Sequence, residues 1–150
     1  MAEEAGAKAL FEKFGTYVLP GRVDDPRRAI DEAQEAERIG LGAVWISERF
    51  ALKEPAVLAG AVSEATSKIR INGTFYSTMR HPIVTASIAN LMQAMSGERF
   101  GIMFARAVPA YMKMLGAPAI TMERLADCIS IMRSLWKGET VDYEGVLGKF

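Results

Sequence analysis

The chain holds one cysteine and one histidine in 150 residues, and it has no excess charge, since eighteen Lys and Arg balance eighteen Asp and Glu. Each shortage excludes a class of protein. The lone Cys128 cannot close an internal disulfide. With His81 as the only imidazole, a metal site built from nitrogen or thiolate ligands lacks donors. Balanced charge without a basic stripe removes the electrostatic footprint of a nucleic-acid binder. No run approaches the roughly 18 uncharged apolar residues of a membrane-spanning helix, and Met1-Ala2-Glu3-Glu4 is acidic where a secretory signal is basic. The expectation is a cytoplasmic protein that meets a small-molecule substrate and neither membrane nor nucleic acid.

What the chain does have is a core. Half of its residues are apolar, and no Ser/Gly linker or shift in composition divides it. Residues 1–13 read as an N-terminal lead and 14–150 as one domain. Strand formers recur at Gly15 to Leu19, Ala43 to Ser47, Ile69 to Tyr76 and Arg99 to Ala105. Between them lie helical periods. Asp25-Pro26 opens a helix that runs to about Ile39, with Ile30, Ala33, Ala36 and Ile39 on one face. A second runs from Pro55 to about Ser67, buried through Val57, Leu58, Ala61, Val62 and Ala65. A third spans Pro82 to about Met95, with Val84, Ile88, Leu91, Met92 and Met95 together. The last, Met122 to about Lys137, carries Met122, Leu125, Ile129, Met132 and Trp136 on one stripe behind a Thr121 N-cap. Val141-Asp142-Tyr143 reads as a further strand-like piece.

Four successive βα units predict an α/β fold with a parallel sheet, because each connection must cross a face and return in the same direction. A dinucleotide-binding open sheet would carry Gly-x-Gly-x-x-Gly after its first strand, where this chain has Leu19-Pro20-Gly21-Arg22. A closed (β/α)8 barrel takes about 250 residues, so four units read as its first half. Two runs of strand formers end abruptly in functional groups: Ala43-Val44-Trp45-Ile46-Ser47 runs into Glu48-Arg49-Phe50, and the third strand runs through Gly73-Thr74-Phe75-Tyr76-Ser77 toward Arg80-His81-Pro82. The carboxyl ends of barrel strands are where chemistry sits.

Trp45 to Phe50, Arg80-His81-Pro82, the Ser96-Gly97-Glu98-Arg99-Phe100 turn and the stretch from Leu115-Gly116-Ala117-Pro118 to Met132–Glu139 together resemble the bacterial luciferase-like flavin and deazaflavin oxidoreductases. The order holds across about Tyr17 to Tyr143. Tyr17 to Arg22 and Glu48 to Glu54 are most similar to the branch that uses coenzyme F420. The resemblance implies a TIM-type barrel, truncated here to its N-terminal half over 14–150. It also implies an oxidoreductase or monooxygenase that passes hydride between coenzyme F420, alternatively FMN, and a small organic substrate.

Residue roles follow from the same resemblance. Glu48 and Arg49 stand where relatives carry a carboxylate and a histidine. Arg49 therefore suits charge stabilisation, Glu48 becomes the proton carrier, and the competing reading is a surface pair that ends a strand. Gly73, Thr74, Phe75, Tyr76 and Ser77 stand where relatives hold the ring, with a non-proline cis peptide expected within Gly73 to Tyr76. Thr74 is placed to bond a ring carbonyl, although any buried strand prefers such residues. The fourth strand departs from the glycine-rich pattern with Met103-Phe104-Ala105-Arg106-Ala107, whose larger side chains narrow the ring's space. Arg106, with Ala107 beside it, is a candidate for an anionic tail.

His81 reads as a helix-start residue, Met112, Met114, Met122 and Met132 as gap-filling core, and Tyr111 as part of a lid or of packing. A half barrel leaves two strand edges open and favours a homo-oligomer or a partner supplying a missing second half. The competing function is a catalytically silent luciferase-like subunit that acts through an interface.

Overall fold

The computed structural model describes residues 10–21, 24–50, 52–77 and 79–150. Most of the polar lead, and Arg22 and Val23 of the first loop, lie outside these. The elements alternate as β1 (Gly15–Tyr17), α1 (Arg28–Arg38), β2 (Ala43–Ser47), α2 (Pro55–Ala65), β3 (Arg70–Tyr76), α3 (Pro82–Met95), β4 (Phe100–Ala105), α4 (Pro109–Met114) and α5 (Met122–Trp136). A two-residue hairpin, β5 (Glu144–Gly145) with β6 (Gly148–Lys149), follows. Strands β1 to β4 form one sheet in sequence order, with β1–β2 and β2–β3 parallel, as the βα alternation requires.

The described residues fall into two compact units, one within Met1–Thr74 and Met92–Met103, the other within Phe75–Leu91 and Phe104–Phe150. In the first unit, alternation along the strands sorts side chains onto two faces. Val44, Ile46 and Ile71 are fully buried with Ala29, Ala33, Ala36, Ala59 and Val62 of the helices. Each buried Val or Ile contributes about 1.5–3 kcal/mol of transfer free energy. The other face, through Trp45 and Asn72, is only half-buried, and Tyr17 beside Trp45 is exposed, its ring centroid 6.4 Å away.

The turns of this unit are fixed by named atoms. Gly40 ends α1 at φ +86°, and Leu41 N–H returns to Ala36 O at 2.9 Å, a closure that needs the left-handed region open to glycine. Gly42 is pinned by N–H to Phe14 O (2.9 Å), and its own carbonyl accepts from Arg70 N–H (3.0 Å). A Cβ on Gly42 would run into the Glu12 backbone carbonyl. Arg99 donates to Ser96 O, Thr66 Oγ1, Ile69 O, Ser63 O and Thr66 O at 2.7–3.0 Å. One guanidinium thus ties the end of α2 to the starts of β3 and β4.

Several expectations shift. Strand β1 stops at Tyr17, not Leu19: Val18 still donates to Trp45 O (3.1 Å), but Leu19 turns to φ +50°. Helix α1 begins at Arg28, after Asp25 has taken the Arg27 N–H and guanidinium. Helix α2 ends at Ala65 and leaves Val57 71% exposed while burying Ser63. On α3 the buried positions are Pro82, Thr85, Ala86, Ala89 and Met92, so Val84, Leu91 and Met95 face outward. On α5 the buried positions are Cys128, Ile131 and Met132, with Met122 and Trp136 exposed. Helices α2 and α3 are apolar on most sides, so spacing alone does not select their phase.

In the second unit, Trp136 Nε1–H donates to Ala86 O (3.2 Å) and Tyr143 O–H to Asp127 Oδ2 (2.6 Å). Of the strand-like Val141-Asp142-Tyr143, Tyr143 extends the hairpin by one pair, exchanging backbone bonds with Phe150 at 2.9 and 3.0 Å, while Val141 and Asp142 precede it. Met112 and Met132 are buried, whereas Met114 and Met122 are exposed, so only half of the methionine set fills core.

Candidate functional site

In the first unit the carboxyl ends of β1, β2 and β3 gather polar groups that a sheet interior would not hold. Glu48 extends the β2–β3 ladder by one bond, its N–H donating to Thr74 O at 2.9 Å, and its side chain is 3% exposed. It continues the buried side of Val44 and Ile46, whereas Arg49 is exposed. Arg49 N–H donates to Lys53 O (3.0 Å) and Lys53 N–H to Arg49 O (2.7 Å), a bridge that turns the chain back on itself.

That reversal puts Lys53 under the strand ends. Only 5% exposed, its Nζ donates to Leu19 O at 2.7 Å and to Ser47 Oγ at 3.2 Å. Burial, reinforced by the Arg49 charge, pushes the Lys53 ammonium below the usual lysine range, while Glu32 opposes the shift. Glu32 also accepts the Leu19 N–H at 2.6 Å and pairs with Arg28 at 3.5 Å. Leu19 is thereby held from both sides in the left-handed region, which costs a non-glycine residue about 1–3 kcal/mol.

Lys53 is the residue that sequence reasoning missed, and Glu48 is not the sole ionisable group at this end. The available signal was position: a lysine in the loop after β2, on the side where barrels place their sites.

Strand β3 contributes the unsatisfied group. Ser47 and Thr74 are register partners and so share a face. Thr74 is 6% exposed, and its Oγ1 has no hydrogen-bond partner among the described residues. Gly73, on the opposite face, is buried beside Ile46. The expected cis peptide is absent: every peptide bond among the described residues is trans.

The second unit holds the remaining candidates. Phe75 is 1% exposed, with the Arg80 guanidinium carbon 5.1 Å from its ring centroid, a cation–π contact. Tyr76 is half-buried, and Ser77, 3% exposed, has an unpartnered Oγ. Arg106 is exposed, and its Nε–H donates to Ile120 O at 3.1 Å, which fixes the guanidinium plane; Ala107 beside it is half-buried. Phe104 is half-buried in this unit, and Met103 in the first, so neither is sealed in core.

His81 starts α3, its Nδ1 accepting from Ile83 N–H (3.3 Å) and its ring edge-on to Phe150 at 4.2 Å. The segment after β4 folds into α4, where Met112 is buried and Tyr111 half-buried. Among the described residues no cluster of His, Cys, Asp and Glu could hold a metal ion. No helix among them is long and apolar enough to cross a membrane. A groove of about 510 Å³ beside β1 and α1, lined by Tyr17, Pro20, Arg28, Glu32 and Ile39, contains none of the predicted site residues.

Comparison with solved structures places this arrangement among known folds. The chain superposes on the coenzyme F420-dependent tetrahydromethanopterin reductase of Methanopyrus kandleri with a TM-score of 0.79 at 22% identity, covering 91% of this chain and 44% of that one. The FMN complex of the oxygenating constituent of 3,6-diketocamphane monooxygenase from Pseudomonas putida gives 0.76 at 20% identity, over 91% and 42%. A Streptomyces bottropensis monooxygenase gives 0.77 at 20%, over 91% and 46%. The chain therefore spans less than half the length of these structures, as four βα units of an eight-unit barrel would. Residues 4–147 match the profile of the luciferase-like monooxygenases, and the chain belongs to that family.

Proposed function

We propose that residues 14–150 are the N-terminal half of a luciferase-like barrel that binds coenzyme F420, or alternatively FMN, and serves hydride transfer to or from a small organic substrate. The observation that carries this reading is the orphaned Thr74 hydroxyl at the carboxyl end of β3. A buried hydroxyl without a partner costs about 1–3 kcal/mol, and such a group calls for a missing acceptor or donor. A ring carbonyl supplies one. The relatives support the ring's identity by their own ligands, coenzyme F420 for the reductase and FMN for the camphane enzyme.

When bound, such a ring accepts or donates hydride at its centre. The chain's own residues then bind and orient it. Thr74 bonds a carbonyl on the face it shares with Ser47, with Gly73 next to it in the strand. In the second unit, taken by itself, Phe75 is buried against Arg80, and Tyr76 and Ser77 are candidates for contact with a ring. Within that same unit, Arg106 is a candidate for an anionic group through its terminal nitrogens, with its Nε–H held by Ile120 O and Ala107 beside it. Glu48 carries the proton, and the exposed Arg49 orients charge on the substrate. A cytoplasmic setting belongs to the same proposal, since Cys128 is buried as a free thiol.

The test is a fluorescence titration of the purified chain with F420 and with FMN. A near-stoichiometric change with either is expected. No change with both overturns the reading.

The outward-facing Val84, Leu91 and Met95 of α3 favour a second reading, a silent subunit that associates with another copy or with a chain supplying the second half. Association without ring binding, measured by sedimentation in the presence of each cofactor, is its signature.

A further inference from the structure

Two hydroxyls stand side by side at the ends of β2 and β3, and a buried lysine decides what one of them can do. Ser47 and Thr74 are register partners on strands separated by roughly 4.8 Å. A lysine ammonium has three donors and no acceptor, so in its contact with Lys53 the Ser47 Oγ must accept. The Ser47 hydrogen is thereby released to point elsewhere. Thr74, its neighbour on the same face, has an Oγ1 with no partner among the described residues. The lysine cannot easily leave. Its loop is closed by the two Arg49–Lys53 backbone bonds, and its stronger bond, 2.7 Å to Leu19 O, is matched by Glu32 holding Leu19 N–H.

We infer that Ser47 and Thr74 form a two-donor seat for one carbonyl oxygen, and that Lys53 is the positioning residue that makes Ser47 a donor. The inference rests on the ring-binding reading above and names the ring's pyrimidinedione carbonyl, common to flavins and deazaflavins, as the oxygen held. Ser47 is half-buried and open to such a ligand. Thr74 joins by turning its Oγ1 about χ1 from one staggered well to another, which exchanges an orphaned hydroxyl for a bonded one. The Lys53 charge behind Ser47 polarises its O–H and strengthens the bond it gives. Neither Ser47 nor Lys53 needs to touch the reacting centre.

The probe is FMN, with F420 in parallel, titrated into the wild-type chain and into Ser47→Ala, Thr74→Val, Lys53→Met and Lys53→Arg, and followed by fluorescence and by the infrared stretch of the carbonyl-labelled ring. Loss of one hydrogen bond from Ser47 or Thr74 is expected to weaken binding roughly tenfold and to raise the carbonyl stretch. Lys53→Met should raise the stretch while leaving both hydroxyls in place, and Lys53→Arg, which keeps a charged donor, should restore it. Wild-type binding with unchanged affinity and stretch in Ser47→Ala and Lys53→Met overturns this inference alone. Failure of the wild type to bind either ring overturns the ring-binding reading, and this inference with it. Should Lys53→Met fail to fold, Ser47→Ala and Thr74→Val, which remove only small groups, decide the matter.

Discussion

Replacing Glu37 by glutamine should remove a pH-dependent share of the stability of the first unit. Its carboxylate sits at the C-terminal end of α1 and accepts from Ser67 N–H, Lys68 N–H, Ile69 N–H and Ser67 Oγ, all at 2.9–3.1 Å. Partial burial pushes its pKa up, but the bonds from Ile69, Lys68 and Ser67 outweigh burial and bring it from 4.5 to about 2. A displacement of that size corresponds to about 3 kcal/mol in full. Solvent at this half-buried group screens it, leaving about 1.5–2 kcal/mol.

The sign follows from linkage. A carboxylate with a depressed folded pKa stabilises fully above its unfolded value, and the contribution fades as pH falls from about 4.5 through about 2. Urea unfolding of both proteins at pH 7, 5, 4, 3 and 2.5 should show the Glu37→Gln deficit at pH 7 and its closure across that window. Asp25 and Glu35 are also held below the carboxylate range, by bonds from Arg27 and Arg38, but they are common to both proteins and cancel in the difference. A deficit equal at pH 7 and pH 2.5, or one below about 0.5 kcal/mol at pH 7, would refute the reasoning.

Two further outcomes test the packing. Arg99→Met strips donors from the carbonyls of Ser63, Thr66, Ile69 and Ser96 and should cost about 3 kcal/mol, read as a fall in urea midpoint at unchanged slope; a loss under about 1 kcal/mol would show that water replaces the guanidinium. Cys128 is fully buried against Met132, and burial pushes its thiol up to about 11, so alkylation at pH 8 should be slow in the native chain and rise with urea along the unfolding curve. Rapid labelling of the native protein would contradict that placement.

The strands were legible because a strand buried between helices is a short apolar run, and here each run is bounded by glycine, charge or a polar turn. The helix faces were less so. On α2 the expected Val57 is exposed and Ser63 is buried, and on α3 the outward Val84 and Leu91 read as well for core as the inward Ala86 and Ala89. A letter pattern apolar on most sides leaves phase to tertiary contact. Of the site, Glu48 and Thr74 were visible as the polar residues that end two strands. The pairing of Thr74 with Ser47 is a register, and register comes from the packed sheet. Lys53 depended on more distant events: the reversal at Arg49, the left-handed turn at Leu19 and the reach of Glu32 from α1.

Both ends of the strands in the first unit keep a buried hydroxyl without a partner among the described residues, Ser63 at the amino ends and Thr74 at the carboxyl ends, and they differ in the backbone and charge around it. At the amino ends, Glu37 saturates the three N–H groups that lead into β3, and Arg99 spends its donors on four residues around the starts of β3 and β4. At the carboxyl ends, Lys53 donates to Leu19 O and Ser47 Oγ, Leu19 sits in a strained backbone region, and Thr74 keeps a buried hydroxyl with no partner among the described residues. Selection for stability alone would fill such a gap with valine, whose shape is nearly the same and whose burial carries no unmet bond. What sets Thr74 apart from Ser63 is its register partner Ser47, whose hydrogen a buried lysine frees, so Thr74→Val in the titration above separates a ring contact from an unmet bond of no consequence.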